Sequence, residues 1–336
     1  MKLSSLGEFG LIELLSRDLL TPRPGVIKGI GDDAAVLQVS GNEWLLMTTD
    51  MLVEDVHFSF SHASPRQIGL KAIVANVSDI AAMGGWPTHA LISLGVRAQT
   101  PVEILEEIYA GIKQTASEYG LDIVGGDTVK SPERLIINVA LLGAVKAGKA
   151  IYRSGAKPGD LIFVTGTLGN SAAGLYLCQH PEALVGAQAA NFLRSAHLEP
   201  CARVNAGRIL AKTGKVTALD DISDGLASDL YKICQASDVG CWVNEKAIPI
   251  DFRLKELAEI IGHNHLEWAL YGGEDFELVF TAPPGSAVFI KQEMEANKED
   301  CYIIGEILPR EKGMLVETSG NKVILLEPRG YDHFKS

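Results

Sequence analysis

The sequence has no Cys-x-x-Cys pair, no long uninterrupted apolar run, and neither of the common glycine-rich phosphate loops, G-x-x-x-x-G-K-[ST] or G-x-G-x-x-G. The five cysteines, Cys178, Cys201, Cys234, Cys241 and Cys301, are odd in number. They do not cluster with histidine, which excludes a disulfide framework and a zinc site and leaves reduced core thiols. Without a long apolar run, nothing reads as membrane-spanning. Basic residues are in deficit, 30 Lys+Arg against 42 Asp+Glu, for a formal net charge of −12. Such a surface repels a phosphate backbone, so no nucleic-acid partner is expected. Residues 1–20 place Glu8 and Glu13 inside an apolar stretch. That is an amphipathic helix rather than a secretory signal, and a cytoplasmic location is expected.

What is present is an ordinary globular composition, 47% hydrophobic and 21% charged over 336 residues, enough chain for two domains. Helical patterning covers 8–20, 65–83 and 101–119, the last with Gly120 just beyond its end. Strand-like runs cover 44–49, with Asp50 at the end, then 121–124 leading into Gly125-Gly126-Asp127, and 135–145. The Gly-, Lys- and Ala-rich stretch 146–160 marks a domain boundary, giving domains 1–148 and 149–336. The second half opens with a strand over 161–165, and strand or helix patterns follow at 216–219, 226–235, 276–280, 302–307 and 323–326. Strict βαβ alternation is absent, which favours an α+β fold over a doubly wound sheet.

Acidic residues recur in short glycine-rich or strand-end settings: Asp32-Asp33, Asp50, Asp79, Asp127, Asp220-Asp221 with Asp224, and Glu274-Asp275. A single loop aspartate has an ordinary explanation as a helix cap or turn former. Asp79 does not, because its helical neighbours Val74, Val77, Ile80 and Met83 are apolar and a buried carboxylate needs a cation or a partner. Carboxylates gathered together repel by roughly 4 kcal/mol per pair at about 4 Å and an effective dielectric near 20. A hard divalent cation such as magnesium removes that cost and bridges carboxylates to phosphates. Residues 166–171 could offer backbone N–H groups to an anion, or form a plain strand-to-helix turn.

Taken together, several segments resemble the thiamine-monophosphate kinase family, a relative of the aminoimidazole ribonucleotide and selenophosphate synthetases. They are Gly7-Glu8-Phe9, Gly29-Ile30-Gly31-Asp32-Asp33-Ala34, Thr48-Thr49-Asp50, His57-Phe58, Asn76-Val77-Ser78-Asp79, Gly125-Gly126-Asp127-Thr128, Arg153-Ser154-Gly155-Ala156, Asp221-Ile222-Ser223-Asp224-Gly225, Gly272-Gly273-Glu274-Asp275 and Gly330-Tyr331-Asp332. They run in family order along the whole chain, and it is their combination that is specific. The resemblance implies an ATP-binding α+β fold with an N-terminal mixed-sheet domain that pairs into a dimeric barrel and a C-terminal α/β sandwich domain. It implies phosphorylation of thiamine monophosphate by ATP with several magnesium ions, in a homodimer.

By the same resemblance, Asp33, Thr48, Thr49, Asp50, Asp79, Asp127, Asp221 and Asp224 would hold metal. Tyr109, Gly126, Asp127, Arg153 and Ser223 would hold ATP. His57, Glu274 and Tyr331 would face thiamine monophosphate, an aromatic suiting the cationic thiazolium and a carboxylate the aminopyrimidine. No nucleophilic side chain is implied. One departure is Asp55, where the family usually has glycine. Another ATP-using synthetase of the same superfamily is the nearest alternative. The selenophosphate branch is disfavoured because the first cysteine, Cys178, lies far from the N-terminal glycine-rich segment. A non-catalytic nucleotide- or magnesium-binding protein is the other.

Overall fold

The computed structural model describes residues 10–12, 14–15, 24–331 and 333–334. The expected 8–20 helix and the Gly7-Glu8-Phe9 segment therefore lie largely outside the described residues, as does Asp332. Residues 10–12 and 14–15 are helical.

The first half builds a six-stranded mixed sheet in the order β1-β2-β3-β6-β4-β5. Its strands are β1 (Val26–Lys28), β2 (Ala35–Ser40), β3 (Glu43–Val53), β4 (Trp86–Val96), β5 (Asp122–Lys130) and β6 (Ile136–Lys146). The apolar 135–145 run is central as expected, with β3 and β4 antiparallel on its two sides. Two helices, α1 (Pro65–Ala82) and α2 (Val102–Tyr119), cover one face. The start of α1 is written into the sequence. Ser64 accepts from the Gln67 backbone, the Gln67 side chain returns the bond, and Pro65 fills the first turn. Gly120 closes α2 in the left-handed conformation at φ 68°.

α1 and α2 touch backbone to backbone. A Cβ on Gly69 would sit 2.0 Å from the Ile108 carbonyl oxygen, and one on Gly111 would sit 2.0 Å from that of Arg66. No other residue fits at either position. The apolar residues of α1 (Ile68, Ile73, Val74, Val77, Ile80) join Leu46, Ile92, Ile108, Ile112, Ile137 and Val139 in one core.

Two strands run further than the sequence patterning implies. β3 continues through Asp50 to Val53, so Asp50 is a mid-strand residue. β5 passes straight through Gly125-Gly126-Asp127 rather than ending at Val124. Gly126 is a strand glycine because a Cβ there would meet the Ile92 carbonyl oxygen at 1.8 Å.

The second half builds a seven-stranded mixed sheet, β13-β12-β9-β11-β7-β10-β8. Its strands are β7 (Leu161–Thr165), β8 (Ala218–Asp221), β9 (Val239–Asn244), β10 (Leu278–Ala282), β11 (Cys301–Pro309), β12 (Met314–Glu317) and β13 (Val323–Leu325). Its helices are α3 (Asn170–Gln179), α4 (Ala187–Leu198), α5 (Val204–Thr213), α6 (Leu226–Ser237), α7 (Phe252–Ile261), α8 (His265–Tyr271) and α9 (Ala287–Ala296). Separate apolar clusters lie on its two faces, one with Ile162, Leu226, Leu230 and Val279, the other with the stacked pair Phe163 and Phe280, 4.8 Å between centroids. The second cluster also takes in Ala82 at the end of α1. Each sheet has one parallel pairing among antiparallel ones, β4 with β5 and β9 with β12. The fold is thus a mixed α/β arrangement of two layered units. None of the described helices is long and apolar enough to cross a membrane.

Candidate active site

The acidic segments converge where α1 meets the end of β8. Asp33, Asp220 and Asp221 are buried, and each offers an oxygen within 4.8 Å of the others. Asp79, from α1, accepts a very short hydrogen bond from Thr48 Oγ1 of β3. Asp221 accepts from Ser78 Oγ at 2.6 Å. The side chains of Thr48 and Asp50 share the inner face of β3 with the buried Leu46 and Leu52, because strand residues two apart point the same way. Asp224 follows β8 in the chain.

Electrostatics tie the group together. Burial pushes the Asp50 carboxyl up to about 6, and the neighbouring Asp224 adds to the rise. Burial also lifts Asp33 to about 6 against the lowering pull of Arg153. Asp221 rises to about 7 through burial and the charge of Asp220. Asp79 is raised well above the usual carboxylate range by burial, then by Asp50, Asp221 and Asp33. This is the signature of carboxylates held together without enough positive charge.

Two cations belong to the chain itself. Arg153 bonds Asp33 through one terminal nitrogen and Asp220 Oδ1 through Nε at 3.0 Å, while its backbone N–H donates to Asp32. Lys232 of α6 lies 2.7 Å from both Asp224 and Asp229. They do not satisfy the site. Asp33 Oδ2, Asp220 Oδ2 and Asp221 Oδ1 are buried without a hydrogen-bond partner among the described residues. Orphaned carboxylate oxygens facing one another fit a hard, oxygen-preferring cation such as magnesium.

A second group lies beside the acids. Glu274 holds a left-handed backbone at φ 64°. Its N–H donates to the Ser223 carbonyl at 2.8 Å, one residue from Asp224. Its carboxylate receives Lys71 Nζ at 2.6 Å, with His197 Nδ1 at 3.4 Å. His57 Nδ1 accepts from Val53 N at 3.0 Å, and the His57 ring is 4.9 Å from that of His333. Tyr331 also meets His333, edge-on at 4.8 Å, and its N–H donates to the Asp224 carbonyl. His57, Glu274, Ser223 and Tyr331 are therefore brought together, adjoining the acids.

Other expected residues lie apart. Thr49 points to the outer face of the sheet, where its hydroxyl donates to the Val139 carbonyl at 3.0 Å. Asp127 is exposed on the edge strand β5 and pairs in register with Ser93. The register Asp50↔Val139↔Ile92↔Gly126 puts that edge level with Asp50 but three strands away, about 14 Å. Tyr109 packs half-buried on α2 against the first core. Lys71 and Lys232 were not singled out from the sequence, and Asp220 was noted there only within its acidic run, with no role of its own. The available signal for Lys71 was the one used for Asp79, a charge among the apolar residues of α1.

Comparison with known proteins agrees with this geometry. Residues 31–145 match the N-terminal domain of AIR synthase related proteins, and residues 157–317 the C-terminal domain. Thiamine-monophosphate kinase of Bacillus subtilis (strain 168) is 38% identical over 335 residues, covering 98% of this chain and all of the relative. The enzyme of Escherichia coli (strain K12) is 35% identical over 328 residues, covering 98% of each chain. Among solved structures, AaThiL complexed with AMPPCP and TMP is 37% identical, covers 99% of each chain and superposes with a TM-score of 0.86. The hydrogenase maturation protein HypE of E. coli, 24% identical with a TM-score of 0.70, shares the fold. The chain belongs to the thiamine-monophosphate kinase family, within the AIR synthase related proteins.

Proposed function

We propose that this chain transfers the γ-phosphoryl group of ATP to the phosphate of thiamine monophosphate, giving thiamine diphosphate and ADP. The observation that carries the reading is the meeting of the under-neutralised acid cluster with the His57, Glu274 and Tyr331 group at one cleft. The new bond joins an acceptor phosphate oxygen to the γ-phosphorus, and the bond from that phosphorus to the β-bridging oxygen breaks. The acceptor oxygen is already anionic near neutral pH, so no general base and no covalent enzyme intermediate is needed.

Asp33, Asp50, Asp79, Asp221 and Asp224 would hold magnesium, with Thr48 orienting Asp79 and Asp220 completing the group. Bound there, magnesium supplies the positive charge that lets one phosphate approach another. Arg153 and Ser223 would contact ATP from the C-terminal half, and Gly126 and Tyr109 from the N-terminal half. Thr49 and Asp127 enter only as outer-face residues, separate from the cluster. Glu274 would accept from the aminopyrimidine, and His57 and Tyr331 would pack on the rings.

The assembly in this reading is a homodimer built on domain 1–148, with domain 149–336 completing each site. The support is an exposed apolar outer face on the N-terminal sheet, formed by Met47, Met51, Leu91, Val124 and Val129, beside the open edge of β5. Sedimentation at micromolar protein as a monomer would remove this part.

The test of the reaction is ADP release with thiamine monophosphate against thiamine and other small phosphate esters. Turnover with thiamine monophosphate alone is expected. With chiral γ-phosphate ATP, inversion at phosphorus is expected, and retention would require a phosphoenzyme. Magnesium-dependent ATP binding without turnover would instead favour a non-catalytic binding protein.

A further inference from the structure

Lys71 is 5% exposed, on the buried side of α1 among Ile68, Ala72 and Ile73. A lysine is seldom so enclosed unless something requires its charge. Its Nζ lies 2.6 Å from Glu274 Oε2 and 3.5 Å from the His57 carbonyl oxygen. It thus reaches two of the three residues assigned to the thiamine side, one from each half of the chain. His197 Nδ1 approaches the same Oε2 at 3.4 Å and Ser171 Oγ at 3.1 Å. Both contacts fall on Oε2, and the Glu274 side chain remains 32% exposed. Among the described residues Oε1 has no contact of this kind, so it is the oxygen turned to a ligand in this reading. Glu274 also sits on a backbone at φ 64°, a conformation that a non-glycine residue keeps only when its surroundings enforce it.

We propose that Lys71 is a positioning residue for substrate recognition: it pins Glu274 Oε2 so that Oε1 is presented as a fixed, ionised acceptor for an amino group on the substrate's heteroaromatic ring. This rests on the reading of Glu274 as a thiamine monophosphate contact. The ammonium does two things there. It compensates a carboxylate that adjoins other acids, and it removes the side-chain freedom that binding would otherwise have to freeze. An ionised carboxylate is an acceptor only, so the site favours an amino substituent on the pyrimidine over an oxo substituent. Among the described residues the Lys71 ammonium bonds Glu274 and the His57 carbonyl rather than any acid of the cluster, so its effect is confined to one substrate.

The experiment is a double-mutant cycle on the full-length protein, using Lys71→Met, Glu274→Gln and the double variant. Steady-state kinetics are read for thiamine monophosphate, for its 4-oxo analogue and for ATP, alongside melting temperatures. Lys71→Met is expected to raise KM for thiamine monophosphate by about tenfold or more, as for loss of a charge-assisted hydrogen bond, with KM for ATP unchanged. The same variant narrows the preference for the amino over the oxo substrate. In the Glu274→Gln background, Lys71→Met is expected to add almost nothing. A Lys71→Met effect that persists in full in that background, or that raises KM for ATP equally, overturns the proposal. If the single variant does not fold, the double variant lacks both charges, and its comparison with Glu274→Gln decides the matter. Wild-type protein inert toward thiamine monophosphate would overturn the functional reading as well. Active wild-type protein with an unaltered KM in Lys71→Met overturns this inference alone.

Discussion

Ser78 Oγ donates to Asp221 Oδ2 at 2.6 Å, with both residues buried. The bond runs from α1, which packs on the first sheet, to the last residue of β8 in the second. It fixes the position of a carboxylate whose other oxygen has no partner among the described residues. Ser78→Ala is expected to destabilise the protein by about 1–3 kcal/mol, the usual cost of leaving a buried polar group without its partner. Urea denaturation measures it. An unchanged midpoint would mean the two halves are held together elsewhere.

Asp50 and Asp224 repel one another across the cleft. Asp50→Asn and Asp224→Asn should each lower turnover by at least about 100-fold, because electrostatic stabilisation of this kind dominates phosphoryl transfer. In chelator-treated protein, Asp50→Asn should melt at the wild-type temperature or above, since a repulsive charge has gone. Magnesium titration should raise the wild-type melting temperature by mass action and raise that of either variant much less. Equal magnesium shifts in all three proteins would move the metal site away from these aspartates.

Burial, reinforced by Lys71, drives the His197 imidazole down to about 4 from its ordinary 6.5, against the opposing pull of Glu274. The folded protein therefore holds His197 neutral where the unfolded chain is already protonated. Stability attributable to this residue is complete above pH 6.5 and falls as the pH drops toward 4, by on the order of 3 kcal/mol. His197→Asn should flatten that acid-side decline while costing stability at pH 7.5. Denaturation midpoints at pH 7.5 and 5 make the comparison. A decline of equal steepness in the variant would place the cause elsewhere.

Asp55 stands at φ 64° and pairs with Arg134 on the surface. This accounts for the departure noted in the sequence. The turn needs a left-handed residue, and aspartate is one of the few side chains that tolerates the conformation where glycine is usual. Asp55→Gly should be neutral or stabilising by up to about 1 kcal/mol. Asp55→Val should destabilise by about 1–3 kcal/mol. Equal stability of the valine variant in guanidinium would show that the loop relaxes.

How far the fold could be read in the chain depended on what fixed each element. α1 was legible because a capping box, a proline and helical periodicity all coincide at Ser64 to Gln67. The extent of β5 is not legible because Gly125-Gly126 looks like a turn, whereas Gly126 lets the β4 backbone approach. Asp79 was legible as a charge among apolar neighbours. Asp220 is legible as part of an acidic run but not as a site residue, since neighbouring strand residues point to opposite faces and only a sheet covered on both sides buries both it and Asp221. Thr49 lies apart from the cluster for the converse reason: adjacency to Asp50 puts its side chain on the other face.

The reciprocal glycine contact between α1 and α2 leaves α1 no room to slide along its neighbour. That helix carries Lys71 close to its middle and Ser78 and Asp79 in its last turns. Eight residues of helical rise separate Lys71 from Asp79, about 12 Å. In the proposed function, the distance between the grip on the organic substrate and the anchor for the reacting phosphates would thus be set by a rigid gauge rather than by a loop. Inserting or deleting one residue between them would turn one end by about 100° relative to the other. The separation is therefore a property the chain can change only in whole helical turns.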